Sequence, residues 1–166
     1  MQASFVERDR DFIIYANSTD NLSNNPGNKF YDFILTLPKT IWLKQEKHAY
    51  WTLQLIDAAL LGTDNTLIPI PESVVILSDI IESSIIKGEF YPILKHIWKE
   101  DAGHQANLFT PVQIPLIVHT LNTFRIKVLN DKLEPLNLDL WENLTQDWTT
   151  LALSFVLHFQ LMEIVH

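Results

Sequence analysis

The chain has no cysteine in its 166 residues. Disulfide staples, zinc knuckles and thiol nucleophiles are excluded with it. Glycine is scarce too, with only Gly27, Gly62, Gly88 and Gly103 present. They stand too far apart for a GxGxxG turn or a P-loop, which removes the common phosphate-cradling routes to nucleotides. Basic residues are outnumbered, 12 against 20 acidic ones, for a formal charge of −8. Phosphate-backbone binding needs clustered Lys and Arg, so direct nucleic-acid binding is not expected. The acids are scattered, so there is no acidic tail. No apolar run reaches the ~18 residues of a membrane span. The opening Met1-Gln2-Ala3-Ser4-Phe5 leads into Glu7, Arg8, Asp9, Arg10 and Asp11, a pattern that does not read as a secretory leader. The Asn-x-Ser/Thr triplets at Asn17, Asn21 and Asn143 therefore read as chance occurrences in Asn-rich loops, and an intracellular product is expected.

What is present is apolar and β-forming. Hydrophobic residues make up 47% of the chain and charged ones 19%, enough for a core, with an excess expected when outer surface is also buried against partners. Residues 1–11 read as a flexible arm and 12–166 as one domain. Short strands are expected at 12–16, 30–37, 50–57, 74–81, 91–98, 114–120, 123–129 and 151–159, with 41–43 continuing the apolar line after Pro38. Pro38 is expected to end its ladder because it has no N–H. Trp51, Leu53 and Leu55 share one face of an alternating strand, as do Leu151, Leu153, Phe155, Leu157 and Phe159. Turns are expected at Lys87-Gly88-Glu89 and around Leu121-Asn122, a polar loop at 99–107, and a short helix or irregular loop at 139–149. Regular short strands without a long helix indicate an all-β, eight-stranded sandwich of two antiparallel sheets, a single jelly roll.

The catalytic constellations are missing. None of the six histidines forms HxH, HExxH or an i,i+4 pair, and cupin-type jelly-roll metalloenzymes need a close His pair with a Glu. His96 and His104 flank one loop and read as structural or exposed. Asp79 lies in the β-branched run from Val74 to Ile81, where a carboxylate must find partners or lie exposed. Asp79 and Glu82, three apart in a strand, fall on opposite faces, against the converging pair that acid–base hydrolysis requires. No catalytic, cofactor-binding or metal-binding residue is read. Of the five tryptophans, Trp51 reads as core, while Trp98, Trp141 and Trp148 sit at strand ends or in loops with partial exposure expected.

Three blocks carry a family resemblance. The first is Asp20-Asn21-Leu22-Ser23, then Phe30 to Pro38, Ile41-Trp42-Leu43 and Trp51 to Ile56. The second runs from Val75 to Glu82 through Gly88 to Pro92-Ile93-Leu94. The third comprises Phe109-Thr110-Pro111, Ile114-Pro115-Leu116, Phe124 to Asp131, Glu134-Pro135-Leu136 and Leu157-His158-Phe159. In this order they resemble the penton (minor capsid) proteins of Polinton/Maverick elements and their adintovirus and virophage-like relatives, over about residues 12–159. Departures are Lys132-Leu133 where a glycine is expected, a longer 137–150 segment, and no basic residue after Leu157-His158-Phe159. The resemblance implies a non-enzymatic virion protein: a homopentamer at the five-fold vertices of an icosahedral shell, beside a double-jelly-roll major capsid protein. On that reading Asp79, Glu82, Gly88, Pro92 and Trp98 are signature or subunit-contact residues. The alternative is a non-capsid jelly-roll module binding carbohydrate or protein.

Overall fold

Alternation decides where the longest strand goes. In Ala152–Glu163 (β12) the side chains of Leu153, Phe155, Leu157, Phe159 and Leu161 are all buried, and the residues between Leu153 and Leu161 are half-buried on the other face. Such a strand belongs in the middle of a sheet, and it pairs on one side with Asp11–Asn17 (β2) and on the other with Ala49–Leu61 (β4). The computed structural model describes residues 4–7, 10–20, 22–99, 112–144 and 147–164. The remaining strands are Ser4–Glu7 (β1), Asp32–Trp42 (β3), Leu67–Ile68 (β5), Val74–Ser78 (β6), Ser84–Ile86 (β7), Glu89–Tyr91 (β8), Ile93–Ile97 (β9), Ile114–Pro115 (β10) and Thr120–Asn130 (β11).

One sheet has the order β1-β2-β12-β4-β10, with β5 appended to β4; the other is β3-β11-β6-β9. All pairings are antiparallel. Leaving aside β1, β5 and the β7–β8 hairpin, the eight strands pair first with last, second with seventh, third with sixth and fourth with fifth. That nesting is the jelly roll, and the core fills the space between the two sheets. Phe12 and Phe159 stack at 4.5 Å within it, worth about 0.5–1.5 kcal/mol beyond their burial.

Several local expectations change. Pro38 does not end its strand. β3 continues to Trp42 because residues 37–40 bulge opposite Asn122, and a bulge spares Pro38 a ladder bond. The same irregularity lies inside β11, so Leu121-Asn122 is no turn; the reversal comes at 117–119, between β10 and β11. In β4 the face chosen by Leu53 and Leu55 passes to Ala58 and Leu60, because Ile56 is an extra residue opposite the Val156–Leu157 step. The expected strand at 91–98 is split at Pro92 into β8 and β9.

Residues 4–7, within the segment read as an arm, pair with β2 as an edge strand. The 139–149 region contains the helix Leu138–Glu142 (α1), followed by a 3-10 turn at Trp148–Thr150. Trp141 is buried rather than partly exposed, with Nε1 donating to Glu72 Oε1 at 2.9 Å. The side chain of Trp148 lies outside the described set, as do Asn21, Phe109-Thr110-Pro111, His104 and the 100–111 part of the expected polar loop.

Positive-φ backbone marks two of the turns. Lys87 (φ 53°) and Gly88 (φ 86°) form the two-residue loop of the β7–β8 hairpin, both in the left-handed region that a type I′ turn requires. Leu133 has φ 67° in the turn after Asn130-Asp131, where the family resemblance expects glycine; its side chain packs against Val75, Leu77 and Leu129 on the outer face of the second sheet. Lysine tolerates φ > 0 less well than asparagine. Lys87→Asn is therefore expected to stabilise the hairpin by up to about 1 kcal/mol, measured as slower hydrogen exchange of the hairpin amides. Gly88→Val is expected to speed that exchange.

Candidate functional site

The five residues read as signature or subunit-contact candidates, Asp79, Glu82, Gly88, Pro92 and Trp98, do not form one cluster. β6 ends at Ser78, so Asp79 and Glu82 lie beyond it and strand alternation does not govern them. Asp79 is exposed, in a turn. Its Oδ1 accepts the Arg125 N–H at 2.9 Å and its own N–H donates to the Arg125 carbonyl at 3.4 Å. The side chain thus extends the β6–β11 ladder past its last residue pair. Glu82 is exposed, and its N–H donates to the Pro115 carbonyl at 2.9 Å. Gly88 is at the hairpin tip. Pro92 is half-buried and its carbonyl accepts the Ser78 N–H at 3.0 Å. Trp98 follows β9 at the opposite end of the sandwich, 52% exposed, its ring centroid 4.0 Å from that of His96.

Only Asp79 and Pro92 come together. With Leu77, Ser78, Arg125 and Lys127 they line a groove of about 160 Å³ outside the second sheet. A larger groove, about 450 Å³, adjoins it through Arg125. Its walls are the 24–29 loop, Tyr31 to Ile34, and Arg125. The Arg125 fork grips Asp32, Nε to Oδ1 at 2.6 Å and one Nη to Oδ2 at 2.5 Å. That hydrogen bond, and then the Asp32 charge, push the guanidinium's pKa further up. Exposed as it is, the pair contributes about 0.2–1 kcal/mol and chiefly sets geometry. The sequence reading missed this pair, because the β3–β11 register has to be known before Asp32 and Arg125 become diagonal neighbours.

The 24–29 loop is held by its own side chains. Asn28 bonds the Ile34 backbone twice, accepting its N–H and donating to its carbonyl, each at 2.9 Å, which occupies the open edge of β3. Asn25 donates to Thr36 Oγ1 at 3.3 Å. Upstream, buried Asp20 accepts the Asn17 N–H at 2.9 Å, and buried Ser18 accepts the Leu153 N–H at 3.0 Å.

Large apolar side chains are exposed at the end of the sandwich that carries the hairpin. Trp42 closes β3 at 78% exposure and Ile117 lies in the β10–β11 connection. Ile85 (66%) and Phe90 (71%) face each other across the hairpin. Among the described residues no three His, Asp or Glu side chains gather into a metal-binding set, and no helix is long and apolar enough to cross a membrane. Comparison with protein-family models, curated proteins and solved structures finds no match.

Burial pushes the Asp20 carboxyl upward in pKa, against the opposing Asn17 hydrogen bond. With the folded value above the unfolded one, stability is highest below the unfolded pKa of about 3.9. It falls as pH rises through that value and the raised folded one, and is level above both. Asp20→Asn keeps an oxygen for the Asn17 N–H and removes the charge. It is expected to raise Tm at neutral pH and to make no difference near pH ~3, where Asp20 is protonated in both states. Calorimetry at the two pH values checks this.

Proposed function

We propose that this chain is a structural virion protein without enzymatic activity: a penton (minor capsid) subunit that forms a homopentamer at the five-fold vertices of an icosahedral shell. On this reading it sits beside a double-jelly-roll major capsid protein in the capsid of a double-stranded DNA virus or virus-like element. The reading rests on the three ordered blocks of family resemblance, and the nested jelly roll is the fold that resemblance implies.

The structural observation that supports it is the set of exposed Trp42, Ile85, Phe90 and Ile117 at one end of the sandwich. Large apolar side chains gathered on a free surface mark a protein-contact region. A five-fold ring needs heterologous contacts, one patch of each subunit meeting a different patch of its neighbour until the ring closes. The β7–β8 hairpin suits such a contact, since it projects Ile85 and Phe90 from a two-residue turn and carries Gly88 at its tip.

Analytical ultracentrifugation and negative-stain microscopy of the purified protein, alone and with the major capsid protein, are expected to show five-membered rings. The double variant Ile85→Glu/Phe90→Glu is expected to keep the folded monomer's thermal transition and to lose the rings. A strict monomer under both conditions would sink the proposal.

A further inference from the structure

We infer that the larger groove, between the 24–29 loop and the β3–β11 face, is a binding site for a neutral saccharide. This goes beyond the vertex role and does not depend on it. At about 450 Å³ the groove falls in the usual range of small-molecule sites, roughly 300–1,000 Å³. Its walls hold the amides of Asn24, Asn25 and Asn28 and the Asp32–Arg125 pair, with Tyr31 and Ile34 supplying apolar surface.

The hydrogen-bonding inventory favours hydroxyl groups. The bonds to Asp32 use two of Arg125's five N–H donors, leaving three, while the Asp32 oxygens keep further lone pairs. An Asn side chain has two N–H donors and two acceptor lone pairs, so the bonds that Asn25 and Asn28 make, no more than one through each group, leave a second donor and an acceptor site on each. Donors and acceptors side by side suit neighbouring sugar hydroxyls, each of which donates and accepts. The loop is already ordered by the Asn28–Ile34 and Asn25–Thr36 bonds, so little ordering cost falls on binding.

Other ligand classes fit less well. An anion would look for a free cation, but Arg125 is gripped by Asp32 and also feels Asp79. Lys29 stands within electrostatic reach of Asp147. An extended peptide would add to the edge of β3, and Asn28 occupies that edge at Ile34.

Gly27 makes the test clean. It lines the groove, has no positive φ, and a Cβ there meets nothing within 4 Å. A large side chain is therefore tolerated by the fold at a position on the groove's wall. The full-length protein is titrated with methyl glycosides of glucose, galactose, mannose and N-acetylglucosamine, and with lactose, using saturation-transfer NMR and calorimetry. At least one is expected to bind, with an affinity insensitive to added salt. Gly27→Trp is expected to weaken that binding at least about tenfold at unchanged Tm, and Gly27→Ala to leave it within about twofold. Three results would overturn the inference: no binding by any of these sugars, binding that Gly27→Trp leaves intact, or salt-sensitive binding confined to carboxylated sugars such as glucuronic acid.

Discussion

Everything in the first sheet hangs on β12. It supplies the hydrogen-bonding partner for β2 on one side and β4 on the other, and its Leu153, Phe155, Leu157 and Phe159 lie in the core between the sheets. The contacts it makes are distant in sequence, as with Asp11 and His158, which lie 147 residues apart and meet at 3.1 Å. Loop closure over such a span costs only slowly more entropy with length, but it must be met before the pairing returns anything. The jelly roll is thus a topology in which the first and last thirds of the chain stabilise each other, and folding dominated by such non-local pairs is slow.

How much of this is legible in sequence depends on the range of the cause. The alternation of Leu153 to Phe159 is local and shows through, as do the Lys87-Gly88 turn and the core position of Leu53 and Leu55. What fails is register. Pro38 reads as a strand end because the bulge that accommodates it is a relation between β3 and β11. Asp79 looks like a carboxylate embedded in a strand because nothing in Val74 to Ile81 says that the strand stops at Ser78. β6 is continuous in its apolarity for a tertiary reason. It is buried on both faces, by the main core within and by Tyr91, Ile93, Leu129 and Leu133 without. Trp141 was hidden for the same reason, since its burial needs Glu72, 69 residues away, to accept its indole N–H.

The outer face of the second sheet is where the candidate features gather, and Arg125 links them. Its backbone N–H is capped by Asp79, its guanidinium by Asp32, and it borders both grooves. An acid on β3 and an acid in the turn after β6 thereby fix one residue in place, the first through its guanidinium and the second through its backbone N–H. The position of Asp79 is accordingly tied to the shape of a groove whose loop lies far away in sequence.

The pair of hydrogen bonds between Asn28 and the Ile34 backbone has a further meaning. An exposed strand border invites the same strand of another molecule, and the product has no natural end. At β3 a side chain already takes that place, presenting the amide that an incoming backbone would have offered. Copies of this protein that meet along that border cannot merge their sheets at Ile34, so their contacts there are left to side chains and shape. Contacts of that kind have definite angles, which is the difference between a closed object of countable size and a fibre.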